Sequence, residues 1–115
     1  MKDYEKKIQY KDKEYILAFN LNVMESIQEK YGSVEKWGEL SDSGADGEPD
    51  AKAVIFGFTE MINEGIDISN EENGTDDKPL THKQIGRMIT EIGLQNINET
   101  MRETVIESTK SNEKN

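Results

Sequence analysis

Apolar and polar side chains alternate along the first part of the chain, on both sides of the polar segment 11–13. The alternating apolar positions are Ile8, Tyr10, Tyr15, Leu17 and Phe19. A period of two around a polar turn predicts a β-hairpin over about residues 6–19. An isolated hairpin is only marginally stable in water, so we expect its apolar face to pack against helices. Ile16 and Ala18 fall on the other face, which indicates that the second strand is covered on both sides.

After residue 20 the apolar positions recur every three or four residues, which is the spacing of an amphipathic helix. The first stripe follows two candidate N-caps, Asn20 and Asn22, and Gly32 is expected to end it. Ser33 is suited to cap a second, shorter helix. The apolar positions of these two helices are Val23, Met24, Ile27, Tyr31, Val34, Trp37 and Leu40.

A third stripe predicts the central core helix of the protein. Pro49 suits its first turn, where a missing amide hydrogen costs nothing, and Gly65 is expected to end it. Gly57 has no side chain on its face of this helix, which favours a close crossing by a neighbouring element. The apolar positions of this helix are Ala51, Val54, Ile55, Phe58, Met61 and Ile62.

Two further helices are predicted in the last third of the chain. Thr81 and Gln84 have the spacing of a capping box, and Gly93 is expected to end the helix that they begin. Asn96 and Glu99 repeat the cap spacing ahead of the last helix. The apolar or small positions of the two helices are Ile85, Met88, Ile89, Ile92, Leu94, Ile97, Met101, Val105 and Ser108.

Two polar segments separate the predicted elements, at residues 41–50 and 67–79. Their residue types favour turns, and we expect flexible acidic loops there and a frayed tail at 111–115. The predicted fold is therefore mainly α, a small bundle of four to five helices with an N-terminal β-hairpin. A chain of 115 residues has room for one core, so residues 1–110 are expected to form a single domain.

Composition narrows the classes of partner. Twenty-four acidic residues against fourteen basic ones give a net charge of −10, which repels nucleic acid and anionic membranes. The chain has no cysteine and no apolar run of membrane-spanning length, and its first residues do not have the pattern of a signal peptide. We therefore expect a soluble, cytoplasmic protein that binds neither nucleic acid nor membrane. The acidic balance indicates either a solvated surface or an acidic recognition face.

The residues that could carry chemistry do not assemble into a recognisable catalytic or metal-binding pattern. His82 is the only histidine and is expected to be an exposed residue of a first helical turn. A calcium loop starting at Asp67 would need glycine where Glu72 stands and glutamate where Lys78 stands. We therefore expect no enzyme activity, no cofactor and no metal, and a function in binding other proteins.

Three aromatic side chains are candidates for contact with a partner. They are Tyr10, Trp37 and Phe56. Large aromatic residues anchor many protein interfaces, but they also fill cores, and burial in the core is the alternative for each of the three.

The order of elements resembles the tail assembly chaperones of long-tailed bacteriophages, their prophages and gene-transfer-agent relatives. The resemblance covers residues 8 to about 107. Three features recur in that family. The first is a phenylalanine followed by a helix that ends in glutamate, an aromatic or small residue, and glycine. The second is a middle helix with bulky apolar residues, and the third is a helix that starts at a leucine-threonine pair. The corresponding residues here are Phe19, Met24, Glu29, Tyr31, Gly32, Val54, Ile55, Phe58, Leu80 and Thr81.

The resemblance implies a non-catalytic protein that binds the tape-measure protein and recruits tail-tube subunits during tail morphogenesis. It further implies a protein that acts in the host cytoplasm and is absent from the mature virion, with self-association also open. Two alternatives remain for a small acidic protein of this kind. One is a DNA mimic that inhibits a DNA-binding protein, and the other is a structural head-tail joining protein of a phage.

Overall fold

Five helices and one antiparallel hairpin make up the described part of the chain, as the sequence predicts. The computed structural model describes residues 6–42 and 48–113. Its elements are β1 Lys6–Tyr10, β2 Lys13–Leu17, α1 Leu21–Tyr31, α2 Val34–Asp42, α3 Ala51–Asn73, α4 His82–Ile92 and α5 Leu94–Glu113. The fold class predicted above, mainly α with an N-terminal hairpin, is confirmed.

The hairpin closes through the two-residue turn Lys11–Asp12, with Tyr10 paired to Lys13 and Ile8 paired to Tyr15. Lys11 has a φ of 56°, the left-handed conformation that a tight hairpin turn requires. One edge of the hairpin lies along α3, where the amide of Ala18 donates a hydrogen bond to the Met61 carbonyl (3.1 Å). Strand β2 is thus covered by α3, in agreement with its apolar side chains on both faces.

Helix α3 is the centre of the protein, because β2 and all four of the other helices contact it. The buried core takes side chains from every helix and from β2. Its members include Leu17, Val23, Ile27, Trp37, Val54, Phe58, Met61, Ile62, Ile85, Met88, Ile97 and Met101. The predicted apolar stripes are therefore the faces that pack together.

Several predicted helix ends are confirmed by hydrogen bonds. Thr81 and Gln84 form a complete capping box, in which the Thr81 amide donates to Gln84 Oε1 (2.8 Å) and the Gln84 amide donates to Thr81 Oγ1 (3.2 Å). Asn20, not Asn22, caps α1 by accepting a hydrogen bond from the Val23 amide (3.2 Å). The side chain of Asn22 instead donates to Glu64 on α3 (3.1 Å).

The prediction that α3 ends at Gly65 is wrong. The helix continues to Asn73, and Gly74, with a φ of 67°, ends it. Residues 67–73 of the predicted acidic loop 67–79 are therefore helical. Gly65 lies inside the helix, where the Ile16 carbonyl of β2 occupies the space that a Cβ would need. The glycine serves close contact between a helix and a strand rather than helix termination.

Three smaller predictions also need correction. Pro49 precedes α3 instead of lying in its first turn, and Asp50 is the N-cap. Asn96 does not cap α5, which begins at Leu94; its side chain donates to the Ile92 carbonyl at the end of α4 (3.0 Å). The backbone of α5 remains helical through Glu113, so residues 111–113 of the predicted frayed tail are helical.

The predicted loop 41–50 is partly helical, because Ser41 and Asp42 are the last residues of α2. Residues 43–47 of that loop, residues 1–5 and residues 114–115 lie outside the described part of the chain. None of the described helices is both long enough and apolar enough to cross a membrane.

Candidate functional site

Trp37, the first of the aromatic candidates, lies in the core with 4% of its surface exposed. Its indole nitrogen donates a hydrogen bond to the Ala53 carbonyl of α3 (2.9 Å). A buried, hydrogen-bonded indole holds α2 on α3, so the ring as a whole is not free to insert into a partner. Only its edge reaches the surface, where it borders the groove described below.

Phe56 and Tyr10 are half-buried and lie in different surroundings. Phe56 packs edge-on against Tyr31 of α1, with ring centroids 5.7 Å apart, and the Lys30 ammonium lies 5.3 Å from its centroid. Tyr10 lies beside α4, where the Glu91 carboxylate accepts a hydrogen bond from its hydroxyl and raises its pKa. The structure therefore does not bring the three candidates together into one site.

An apolar groove runs between α2 and α5 and has a volume of about 200 Å³. Val34 and the edge of Trp37 line it from α2, and Met101, Val105 and Ile106 line it from α5. Ile106 is 46% exposed, although large aliphatic side chains are normally covered in folded proteins. The groove is therefore an open apolar surface between the two helices.

Polar contacts at one end hold the two walls of the groove together. Asn98 of α5 donates a hydrogen bond to the Ser41 carbonyl at the end of α2 (2.5 Å), and Arg102 forms an ion pair with Asp42. The buried Ser41 hydroxyl donates to the Trp37 carbonyl within α2 (2.9 Å). The Asn98 bond satisfies the Ser41 carbonyl, one of the terminal carbonyls that lack a partner within the helix, and the ion pair links the two helices directly. They fix the last turn of α2 against α5 and so set the width of the groove.

The groove belongs to an acidic part of the molecule. Together α2 and α5 carry seven acidic residues and three basic ones. At the groove itself the charged lining residues are Asp42 and Arg102, which form an ion pair with each other, so the lining suits the apolar stripe of an amphipathic helix.

Sequence reasoning found part of this groove and missed part. Val105 and Met101 belong to the predicted stripe of α5, but Ile106 lies one position off that stripe. An isoleucine outside the core face of a helix is the signal that could have indicated an exposed apolar contact.

Ionisable side chains are the other candidates for a site, either as metal ligands or as catalytic groups. Within residues 6–42 and 48–113, no three or more histidine, aspartate or glutamate side chains are grouped so that they could hold a metal ion. His82 is exposed in the first turn of α4, as predicted. Burial raises the pKa of Tyr31, with a smaller contribution from Asp50.

Comparisons with known proteins add no relative. No family model, no curated protein and no solved structure matches this chain.

Proposed function

We propose that the chain is a tail assembly chaperone of a long-tailed bacteriophage or prophage. In this proposal it binds apolar helical segments of the tape-measure protein and recruits tail-tube subunits in the host cytoplasm, without catalysis. The observation that carries the proposal is the open apolar groove between α2 and α5, with Ile106 exposed at its edge. The pattern of elements shared with that family supports the same function.

The apolar lining of this groove suits a helix of the partner. A partner helix with apolar side chains three or four residues apart can place them against Val34, Val105 and Ile106. A groove of about 200 Å³ holds only a few side chains, so the affinity that it provides is weak. Weak contacts suit a chaperone, because the chain must be displaced when the tail tube assembles around the tape measure.

A DNA mimic remains the second candidate, because Asp67, Glu71 and Glu72 lie on a helix and not in a loop. A mimic needs a rigid face of one charge sign. Next to the end of α3, Asp77 of the following loop is hydrogen-bonded to Asn70 and forms an ion pair with Lys13 (3.4 Å), so a basic side chain partly neutralises the acids there. We therefore favour the chaperone.

Co-expression with the tape-measure protein encoded by the same phage or prophage tests the proposal. The wild-type chain should increase the soluble fraction of the tape-measure protein. Ile106→Glu should abolish most of this increase, because it places a charge in the groove. Leu21→Glu is the matched control, since Leu21 is 77% exposed but lies at the start of α1. Circular dichroism should show that both variants remain folded.

Two results would count against the proposal in different ways. A tape-measure protein that is equally insoluble with and without the chain would remove the chaperone function. A loss of solubilisation with Leu21→Glu but not with Ile106→Glu would move the binding site to the start of α1.

A further inference from the structure

A second surface, at the tip of the hairpin, has a different chemistry from the α2–α5 groove. It is a cleft of about 600 Å³ between the hairpin and α4, and it shares no lining residue with the groove. Tyr10 and Tyr15 line it from the hairpin, and Leu80 and Met88 line it from the start and middle of the α4 region. Met88 is buried, so the cleft has an apolar floor.

Three basic side chains line this cleft in a chain whose net charge is −10: Lys11, Lys13 and Arg87, together with one acid, Asp12. Two further carboxylates reach its edge, since Asp77 pairs with Lys13 and Glu91 faces the Tyr10 hydroxyl. At physiological ionic strength charges are screened over about 8 Å, so a ligand in the cleft responds to these nearby charges more than to distant carboxylates. Within the described residues Lys11 and Arg87 are in no ion pair, so they are the cations that can attract negative charge from a ligand.

Both lysines are exposed, and their ammonium groups lie over aromatic rings. The Lys11 ammonium lies 5.5 Å from the centroid of Tyr10, and the Lys13 ammonium lies 5.6 Å from the centroid of Tyr15. Cation–π contacts of this kind restrict the ammonium groups to the cleft. A ligand that meets them also meets the apolar rings directly beneath.

One carboxylate already occupies part of this edge. Asp77, from the loop before α4, pairs with Lys13 at 3.4 Å. Asn70 fixes that loop, because its side chain accepts a hydrogen bond from the Asp77 amide (3.0 Å) and donates one to the Asp77 carbonyl (2.9 Å). The intramolecular pair shows the geometry in which the cleft receives an acidic residue from the chain segment beside it.

We propose that the cleft between the hairpin and α4 binds an acidic, extended segment of a partner protein, with an aromatic or aliphatic side chain lying on Tyr10, Tyr15 and Met88. The carboxylates of the segment pair with Lys11 and Arg87, and Asp77 competes with the segment for Lys13. The partner in this proposal is a different protein, and binding of a second copy is the alternative that the test below separates from it.

The test uses a fluorescently labelled synthetic peptide rich in glutamate and aspartate around one phenylalanine. A second peptide replaces the acids by glutamine and asparagine. We expect the acidic peptide to bind the full chain by fluorescence anisotropy, to bind more weakly as salt is added, and to bind better than the neutral peptide. Nuclear magnetic resonance shifts should locate the bound peptide at the hairpin turn and α4.

Four variants test which charged residues contribute to the affinity for the acidic peptide. Arg87→Glu should weaken binding about tenfold, because it replaces an attractive charge by a repulsive one, and Arg87→Lys should restore most of the affinity. Asp77→Asn should strengthen binding by about twofold to threefold, because it releases Lys13 from an exposed ion pair of modest strength. Lys36→Glu, on α2, makes the same charge change away from the cleft and should leave binding nearly unchanged. If Arg87→Glu does not fold, Arg87→Gln replaces it.

Three outcomes would overturn the proposal. They are equal binding of the neutral peptide, an equal loss of affinity in Lys36→Glu, and chemical shift changes located elsewhere. Sedimentation of the chain without peptide checks the choice of partner. A dimer that dissociates in Arg87→Glu would mean that the cleft binds a second copy, which contradicts the proposal.

Discussion

Gly57 of α3 lies directly beneath the indole ring of Trp37, so closely that a methyl group at position 57 would overlap the ring. The same indole donates its hydrogen bond to the Ala53 carbonyl, one turn earlier on α3. The ring is therefore held over one turn of the helix, from Ala53 to Gly57. This contact sets the distance between α2 and α3, and with it the position of the wall of the α2–α5 groove.

Gly57→Ala is expected to destabilise the protein. The added methyl group must displace a large ring that is hydrogen-bonded and buried, and overpacking of this kind costs about 1–3 kcal/mol of unfolding free energy. Gly86→Ala on α4 is the matched control, because no atom lies within 4 Å of the added Cβ. There alanine should stabilise the helix by about 0.5–1 kcal/mol. Urea unfolding measures the free energy of unfolding of both variants. A Gly57→Ala protein as stable as Gly86→Ala would show that the indole does not lie on Gly57.

Gly65→Ala should be more damaging than Gly57→Ala. At position 65 the added Cβ would meet the Ile16 carbonyl of β2, and backbone cannot rotate aside as a side chain can. The strand must move away from α3, which also strains the bond between the Ala18 amide and the Met61 carbonyl. We expect a loss above about 3 kcal/mol, in the upper range for single substitutions.

Thermal denaturation followed by circular dichroism compares the glycine variants under the same conditions. The expected order of stability is Gly86→Ala, wild type, Gly57→Ala and Gly65→Ala, from highest to lowest. A Gly65→Ala protein as stable as wild type would mean that β2 does not pack on this part of α3.

These two glycines illustrate what the sequence could and could not predict. The close crossing at Gly57 was predicted from its missing side chain, but Gly65 was interpreted as a helix end. A glycine that ends a helix and one that admits a neighbouring strand look alike in sequence, and only the backbone distinguishes them. The glycines with positive φ in the described residues are Gly32, Gly74 and Gly93, and each follows the end of a helix.

The start of α4 was predicted correctly, because its capping is local: Thr81 and Gln84 lie three residues apart, and the side chain of each bonds the backbone of the other. The starts of α3 and α5 were misplaced, because Pro49 precedes α3, whose N-cap is Asp50, and because α5 begins before Asn96.

The groove and the cleft were predicted poorly, because each is formed by residues that are far apart in the sequence and meet only in the tertiary structure. Lys11 and Arg87 meet in one cleft although 76 positions separate them in the sequence. Net charge describes the whole chain and conceals a local group of basic side chains. For the same reason Tyr10 was predicted as a candidate from its residue type, whereas its contact with α4 was not predicted.

The link between α3 and α4 should depend on Asn63. Its side chain accepts a hydrogen bond from the Leu80 amide (2.8 Å) and donates one to the Leu80 carbonyl (3.2 Å). Asn63→Ala leaves both half-buried backbone groups without this partner, which should cost about 1–3 kcal/mol, although alanine's helix propensity returns part of it.

Asn73→Ala is the control for this variant on the same helix. The Asn73 side chain makes an exposed hydrogen bond to Ser69 (3.1 Å), so its removal should change stability by less than about 0.5 kcal/mol. Chemical denaturation measures both variants. Hydrogen exchange of the Leu80 amide gives a second test, because it should become faster in Asn63→Ala and stay unchanged in Asn73→Ala.

Tyr10 provides a spectroscopic test of the contact between the hairpin and α4. The Glu91 carboxylate accepts its hydroxyl hydrogen bond and, with smaller contributions from burial and charge repulsion, raises its pKa, while Arg87 lowers it. Glu91→Gln should therefore bring the pKa of Tyr10 down towards its ordinary value near 10. Arg87→Gln should raise it further. The ultraviolet absorbance of ionised tyrosine measures both shifts, and subtraction of the Tyr10→Phe titration assigns them.

The sign of the accompanying stability change follows from linkage. The folded state binds the Tyr10 proton more tightly than the unfolded state, so the stabilisation is complete below the unfolded pKa and is lost as pH rises through the folded pKa. Wild type and Glu91→Gln should therefore differ less in stability above that pH than at neutral pH. Tyr31 is the internal reference, because burial and Asp50 raise its pKa and neither variant alters them. A Tyr10 titration unchanged by Glu91→Gln would mean that the hairpin tip does not lie against α4, and the cleft between them would then have no structural basis.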